Sequence, residues 1–220
     1  NSKALARYYP LLWQIRKRDL EEIATNFLQW EVEQGDVSIK PSHFEYRFGY
    51  SGSSEPLFLS LPSGQRLYIK GRIDRIDTNH KSIKVIDYKT GRKKGKDDHF
   101  EGGTALQLPL YLIAATQSDQ REVGSGDIAS FYFISLQKVE AVSFSGTGWP
   151  EKKEKLFMLL DQIYTGITNG YFFPYPSQHK GYCQYCNFRT VCSPDLSRIF
   201  SLNKINDPIC AAFRNSKEEA

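Results

Sequence analysis

The pattern of this 220-residue chain predicts an α/β fold in which helices flank a mixed central β-sheet. Two observations carry that expectation. Leu12, Ile15, Leu20, Ile23, Phe27 and Trp30 recur near helical spacing after Pro10, with charged residues over much of the other side, so the chain opens on a long amphipathic helix. Short alternating runs rich in β-branched and aromatic residues then follow one another, and the clearest are GRIDRID and SIKVIDYK on either side of a polar turn.

Taken in order, Lys40 to Tyr50 and Pro56 to Leu61 read as strands joined by the turn GYSGSSEP, leading as a meander into the GRIDRID hairpin. The segment TALQLPLYLIAAT reads as a helix that begins near Pro109 or kinks there, because proline removes a backbone donor. Strands follow at IASFYFISL and VEAVSFS, then a helix marked by Leu156, Leu160, Ile163 and Ile167. The tail from Asn203 is polar. A chain of this length, 40% hydrophobic and 14% aromatic, can bury one substantial core. A single domain over residues 1–220 is therefore expected, with a helical part at 1–35, a core at 40–170 and a cysteine-rich segment at 171–220. A net charge of +4 allows an anionic partner without requiring one. No apolar run reaches about 18 residues and no signal-peptide pattern is present, so neither a membrane nor secretion is expected and the cytoplasm is the default.

The chemistry concentrates between Gly71 and Lys89. If Asp74 pairs opposite Asp87 in the hairpin, both carboxylates share a face of the sheet, and the two-residue period adds Lys89 to it. A one-residue slip would send Asp74 to the other face. Two aspartates and a backbone carbonyl suit Mg²⁺, which takes hard oxygen ligands and keeps several waters. A divalent ion there would lower the pKa of a water and offset charge on a phosphoryl oxygen, with an ammonium at hand to orient the attacking water, which fits phosphodiester hydrolysis. The plainer alternative is a salt-bridged surface of Arg72, Asp74, Arg75, Asp77 and Lys89. Gln107 and Tyr111, four apart, project from one face of their helix and either serve the site or simply pack.

GRIDRID, then VIDYKTG, then QLPLY, in that order, resembles the RecB-type branch of the PD-(D/E)XK nuclease superfamily. The resemblance implies a restriction-endonuclease-like core. It makes Asp74 and Asp87 metal ligands for Mg²⁺ or Mn²⁺, with the Tyr88 carbonyl as a further ligand, Lys89 the catalytic lysine, and Gln107 with Tyr111 an accessory motif. It extends to AddB-like helicase–nuclease subunits with an iron–sulfur cluster, which carry a cysteine triplet resembling Cys183, Cys186 and Cys192. The implied cofactor is an iron–sulfur cluster, 4Fe–4S in the intact protein. The implied activity is exonucleolytic hydrolysis of DNA in repair and recombination, and the implied partner is a helicase subunit or domain.

Read as residues, all four cysteines, including Cys210, fall late in the chain, which fits a soft-metal site better than a disulfide scaffold. Thiolates at this spacing suit zinc or an iron–sulfur cluster, and the absence of a second CxxC favours the cluster. Buried free thiols are the remaining alternative. The chain departs from the family in lacking both the fourth cysteine upstream of the core and the acidic or histidine residue on the same upstream helix. It opens at Asn1, and its only methionine is Met158, so it reads as a piece of a longer protein. A cluster on three thiolates is expected to be labile, with Cys210 a substitute ligand only if the chain folds back. His43 and Glu45 lie on an alternating strand, Glu45 is read as a paired or rim residue, and both are kept out of the core site.

Two further features invite function. Arg92, Lys93, Lys94 and Lys96 follow the proposed catalytic strand and either contact DNA phosphates or form a solvated loop. The aromatics of YFFPYP, Tyr171 to Pro176, either stack on bases or pack beside the cysteines. The competing functions are a non-catalytic DNA-binding module, disfavoured because Asp74, Asp87 and Lys89 are all intact, and a CRISPR-adaptation exonuclease, whose members more often show Glu at the Asp87 position.

Overall fold

The structure is a computed structural model, and it describes residues 9–34, 38–50, 57–79, 81–90, 93–100, 103–171 and 187. The elements run α1 (Pro10–Gln34), β1 (Lys40–Phe48), β2 (Leu57–Ser60), β3 (Arg66–Ile69), β4 (Gly71–Thr78), β5 (Ile83–Thr90), α2 (Gln107–Ser118), β6 (Ile128–Ile134), β7 (Val139–Ser145) and α3 (Trp149–Thr168). Five strands form one sheet in the order β1-β4-β5-β6-β7, and β2 and β3 form a separate two-stranded ribbon. β5 and β6 are parallel, joined through α2, and the other neighbours are antiparallel. The mixed sheet with helices is therefore as expected.

The meander is not. β4 pairs with β1, Phe48 opposite Gly71, and β3, which the sequence reading did not anticipate, stays out of the main sheet. Gly71 makes that pairing sterically feasible. A Cβ there would meet the Phe48 ring at 2.6 Å and the Tyr111 ring at 3.4 Å. The glycine that opens GRIDRID is thus required by close packing.

The chain divides into two compact units, residues 1–59, 68–99 and 105–152 in the first, 60–67, 100–104 and 153–220 in the second. The first contains the five-stranded sheet, α1 and α2. Ile76, Val85 and Ala129 of the sheet are buried with Leu108, Leu112 and Ala115 of α2, which packs over β5 and β6. Each fully buried leucine of this kind contributes roughly 1.5–3 kcal/mol. α1 lies on the opposite face, where Trp30 meets Tyr132 edge-on at 4.7 Å, Phe27 meets Tyr88 at 5.6 Å, and Asn26 donates to the Leu136 carbonyl at 3.0 Å. Only the C-terminal half of α1 makes these contacts. Leu12, Ile15 and Leu20 of the predicted apolar stripe are exposed, because the sheet contacts gather around Asn26 to Glu31.

In the second unit, the Asp161 carboxylate accepts from the Ser63 amide at 2.9 Å and from its hydroxyl at 2.6 Å. Leu156 and Leu160 of α3 are buried as their spacing predicts, whereas Ile167, near the end of the helix, is exposed. Among the described residues, no helix is long and apolar enough to cross a membrane.

Candidate active site

The β4–β5 register runs Thr78↔Ile83, Asp77↔Lys84, Ile76↔Val85, Arg75↔Ile86. Continued by one pair it sets Asp74 level with Asp87, as the sequence reading assumed. Alternation then divides GRIDRID between two faces: Asp74 and Ile76 point toward α2, Arg75 and Asp77 toward α1. Lys89, two residues beyond Asp87, joins the α2 face.

Asp87 is the centre of the cluster. It is 4% exposed, its Oδ1 accepts from Gln107 Nε2 at 2.8 Å, and its Oδ2 lies 2.5 Å from Lys89 Nζ. That ion pair is the contact Oδ2 makes among the described residues. Gln107 closes a triangle by accepting from Lys89 Nζ at 3.3 Å. Asp74 Oδ2 accepts from the Tyr88 amide at 2.9 Å, which ties the first carboxylate to the strand of the second. Burial pushes the Asp87 carboxyl above the usual carboxylate range, the Lys89 ammonium pulls it back, and the negative charge of Asp74 raises it again. A carboxylate held in this state would gain from a cation.

Helix α2 supplies the other wall. Gln107 is its first residue and Pro109 its third, where the missing N–H would have had no helical partner, so the proline is accommodated without a kink. Tyr111, one turn on, stacks edge-on against Phe48 at 6.0 Å. Burial raises its phenol pKa, a hydrogen bond with Gln107 lowers it, and the charges of Asp87 and Asp74 raise it further. The phenol therefore stays protonated and available as a donor.

The residues fit a hard divalent ion. Two carboxylates lie on one face, one of them carries a buried oxygen whose partner is the Lys89 ammonium, and the Tyr88 carbonyl belongs to the same strand. Among the described residues, no group of three His, Cys, Asp or Glu gathers, so waters would complete the shell, as is usual for Mg²⁺. Glu45 is engaged with Arg72. It lies level with Asp74 between the pairs Phe44↔Arg75 and Tyr46↔Ile73, but its positive φ of 52° accompanies a carboxylate paired with Arg72 at 2.8 Å.

The other face carries a different network. Arg75 Nε and Nη2 donate to the two oxygens of Asp77, both at 2.6 Å, and Nη1 donates to Glu31 of α1 at 2.6 Å and to the Tyr88 hydroxyl at 3.2 Å. Burial alone would lower the Arg75 pKa, but the bonds to Asp77, Glu31 and Tyr88 raise it, so the guanidinium is permanently charged. The alternative of a salt-bridged hairpin thus holds for Arg75 and Asp77, which form a largely buried pair, for exposed Arg72, and for Lys89 through its pair with Asp87, while Asp74 is tied to the Tyr88 amide instead.

Sequence reasoning missed two contributors. Phe131 of β6 pairs in register with Asp87, and its ring carries the Lys89 ammonium 4.9 Å from its centroid. The clue was an aromatic run in the strand that parallel pairing lays beside VIDYK. Asp127, immediately before β6, accepts from the Ile83 amide at 2.8 Å, the Gly124 amide at 2.7 Å and both Arg121 nitrogens at 2.6 and 2.7 Å, fixing the start of β5 against β6. Of the expected phosphate contacts, Lys93, Lys94 and Lys96 are exposed, while Arg92 lies outside the described residues. So do Cys183, Cys186, Cys192 and Cys210, and all of YFFPYP except Tyr171, which is exposed.

Comparison with known proteins bears on the family. The model of the PD-(D/E)XK nuclease superfamily matches residues 2–193. Relatives named as subunits of an ATP-dependent helicase/deoxyribonuclease include one from Clostridium tetani, 32% identical over 124 residues, 53% of this chain and 11% of that protein. Those of Alkaliphilus oremlandii and Clostridium perfringens (strain SM101) are 38% and 40% identical over 101 and 97 residues, each 42% of this chain and 9% and 8% of the respective relative. The chain thus matches about a tenth of the length of these relatives. Among solved structures, that of SSO0001 covers 88% of this chain and 80% of its own at 17% identity with a TM-score of 0.34, too distant to support an inference. The chain belongs to the PD-(D/E)XK nuclease superfamily.

Proposed function

We propose that this chain is a Mg²⁺-dependent deoxyribonuclease domain, with Mn²⁺ as an alternative ion, that hydrolyses DNA exonucleolytically within a cytoplasmic helicase–nuclease assembly for repair and recombination. The observation that carries the reading is the convergence of Asp74, Asp87 and Lys89 on one face, with Asp87 buried and its Oδ2 paired with the Lys89 ammonium. The naming of the relatives as helicase/deoxyribonuclease subunits supports DNA as substrate and a helicase as partner.

Asp74, Asp87 and the Tyr88 carbonyl would hold the metal, which supplies Lewis acidity and lowers the pKa of water. Lys89, carried on Phe131 and bonded to Gln107, offers its ammonium to the attacking water and to the charge developing on the phosphoryl oxygen. Gln107 holds Asp87 and Lys89 in one geometry, and the Tyr111 phenol is a donor beside them. Water adds to phosphorus and releases one proton to solvent, the bond to the leaving sugar oxygen breaks, and that oxygen takes a proton from solvent. Cys183, Cys186 and Cys192 are assigned to an iron–sulfur cluster, with zinc as the alternative, on their spacing and the family likeness.

The test is cleavage of end-labelled DNA in Mg²⁺ and in EDTA by the wild type, Asp87→Asn and Lys89→Ala. Cleavage should require the metal and fall by on the order of 10²–10³ in each variant. Equal cleavage by all three would remove the assignment.

A further inference from the structure

The loop between β5 and α2 carries three closely spaced lysines, Lys93, Lys94 and Lys96, followed at once by two aspartates, Asp97 and Asp98. The aspartates do not neutralise the lysines. Asp97 Oδ1 accepts from the Ser143 amide at 2.6 Å, and Asp98 Oδ1 accepts from the Ser145 amide at 2.6 Å and from Lys152 Nζ at 2.8 Å. The Asp98 amide donates to the Ser143 carbonyl at 2.9 Å. β7 is an edge strand of the sheet, and these bonds use backbone groups that its missing neighbour would have taken. Asp98 takes a positive φ of 56°, an unusual conformation for a residue with a side chain.

Held at that edge, the loop lies over the α2 face of β6 and β7, where Lys94 and Lys96 line a small cavity with Phe131, Val142, Leu108 and Pro109. Phe131 is the ring that carries the Lys89 ammonium, so the basic loop begins where the candidate site ends. All three lysines are exposed, and among the described residues none is in an ion pair, whereas Lys89 and Lys152 each have a carboxylate partner.

We infer that residues 93–98 form a strap clamped to the β7 edge through Asp97 and Asp98, which presents Lys93, Lys94 and Lys96 as a phosphate track for a DNA strand leading away from the site. The inference rests on the nuclease reading only for the choice of DNA as ligand. A tethered row of ammonium groups loses less freedom on binding than a free loop would, so the two aspartates aid the binding of a polyanion despite their own charge.

The counter-intuitive sign provides the test. Binding of a fluorescein-labelled single-stranded oligonucleotide to the intact chain would be measured in EDTA over a salt series, so that neither cleavage nor metal enters. Replacing all three lysines by Gln should weaken binding about tenfold or more at low salt and reduce the slope of log K against log salt by about 0.7 for each phosphate no longer neutralised. Asp97→Ala with Asp98→Ala removes both acceptors and makes the chain more positive yet should weaken binding several-fold, while Lys17→Gln on α1 should leave it unchanged. Tighter or equal binding by the double aspartate variant would overturn the strap, and so would an unchanged salt slope in the lysine variant, which needs no clamp to fold. Metal-dependent cleavage lost with Asp87→Asn beside normal binding by the lysine variant would sink the strap and leave the nuclease intact. The predicted binding changes in a chain that never cleaves would do the reverse.

Discussion

The two faces of the β4–β5 hairpin carry nearly the same groups to opposite ends. On the α1 face, Asp77 and Arg75 meet through two parallel bonds at 2.6 Å, with Glu31 and Tyr88 taking a third nitrogen. On the α2 face, Asp87 and Lys89 are as close in sequence as Arg75 and Asp77, yet the buried Asp87 oxygen has a single ammonium for partner and a pKa pushed upward by burial. The first arrangement is saturated, and its product is attachment of α1 to the sheet. The second has Gln107 on one Asp87 oxygen and a single ammonium on the other, beside a second carboxylate, which leaves room for a divalent ion. Three residues of spacing in GRIDRID separate a structural aspartate from one proposed to be functional.

That contrast can be broken most forcefully from the saturated side. Arg75→Ala leaves Asp77, 3% exposed, as an unpaired buried charge and should cost about 3–5 kcal/mol of stability in denaturant melts. Cleavage per folded molecule should change little, since the guanidinium does not reach the α2 face. A lost activity at full stability would merge the two faces into one site.

Asp127 offers a smaller effect of the same sign. Burial raises its pKa, but the bonds from Arg121, Gly124 and Ile83 outweigh it and hold the carboxyl below the usual range. A depressed folded pKa contributes stability that is present above the unfolded value, about 3.9, and lost as pH falls through the folded one. Asp127→Asn should therefore cost about 1–3 kcal/mol at neutral pH, with the difference from wild type closing in acid. A penalty that persisted unchanged at low pH would place the effect in packing.

Asp87 should behave oppositely. Its raised pKa means that the metal-free folded chain binds the proton more tightly than the unfolded chain, so stability falls as pH rises from the unfolded pKa through the folded one. Without metal, Asp87→Asn should melt slightly higher than wild type at neutral pH, and added Mg²⁺ should raise the wild type alone. A lower melting temperature would make Asp87 a structural residue like Asp77.

How much of this was legible beforehand follows from what each feature depends on. The hairpin and the period of two that adds Lys89 to the face of Asp87 are local and were readable, whereas the register that sets Asp74 level with Asp87 was assumed, and the Arg75↔Ile86 pairing is consistent with it. Gln107 at the start of α2 was readable as a helix position, but its bridge between Asp87 and Lys89 was not, because it depends on the path from β5 into the helix. Glu31 with Arg75, 44 residues apart, and β1 with β4 across the β2–β3 excursion are long-range pairings, which no periodicity encodes. Phe131 under Lys89 and the Asp97–Asp98 clamp likewise became visible only once β6 and β7 had been placed.

The measurement that bears most directly on the division of faces is Mn²⁺ binding by electron paramagnetic resonance to wild type, Asp74→Asn and Asp77→Asn, each checked as folded by circular dichroism. Binding should be lost in Asp74→Asn and kept in Asp77→Asn. Equal binding by the two variants, or loss in Asp77→Asn alone, would contradict the account.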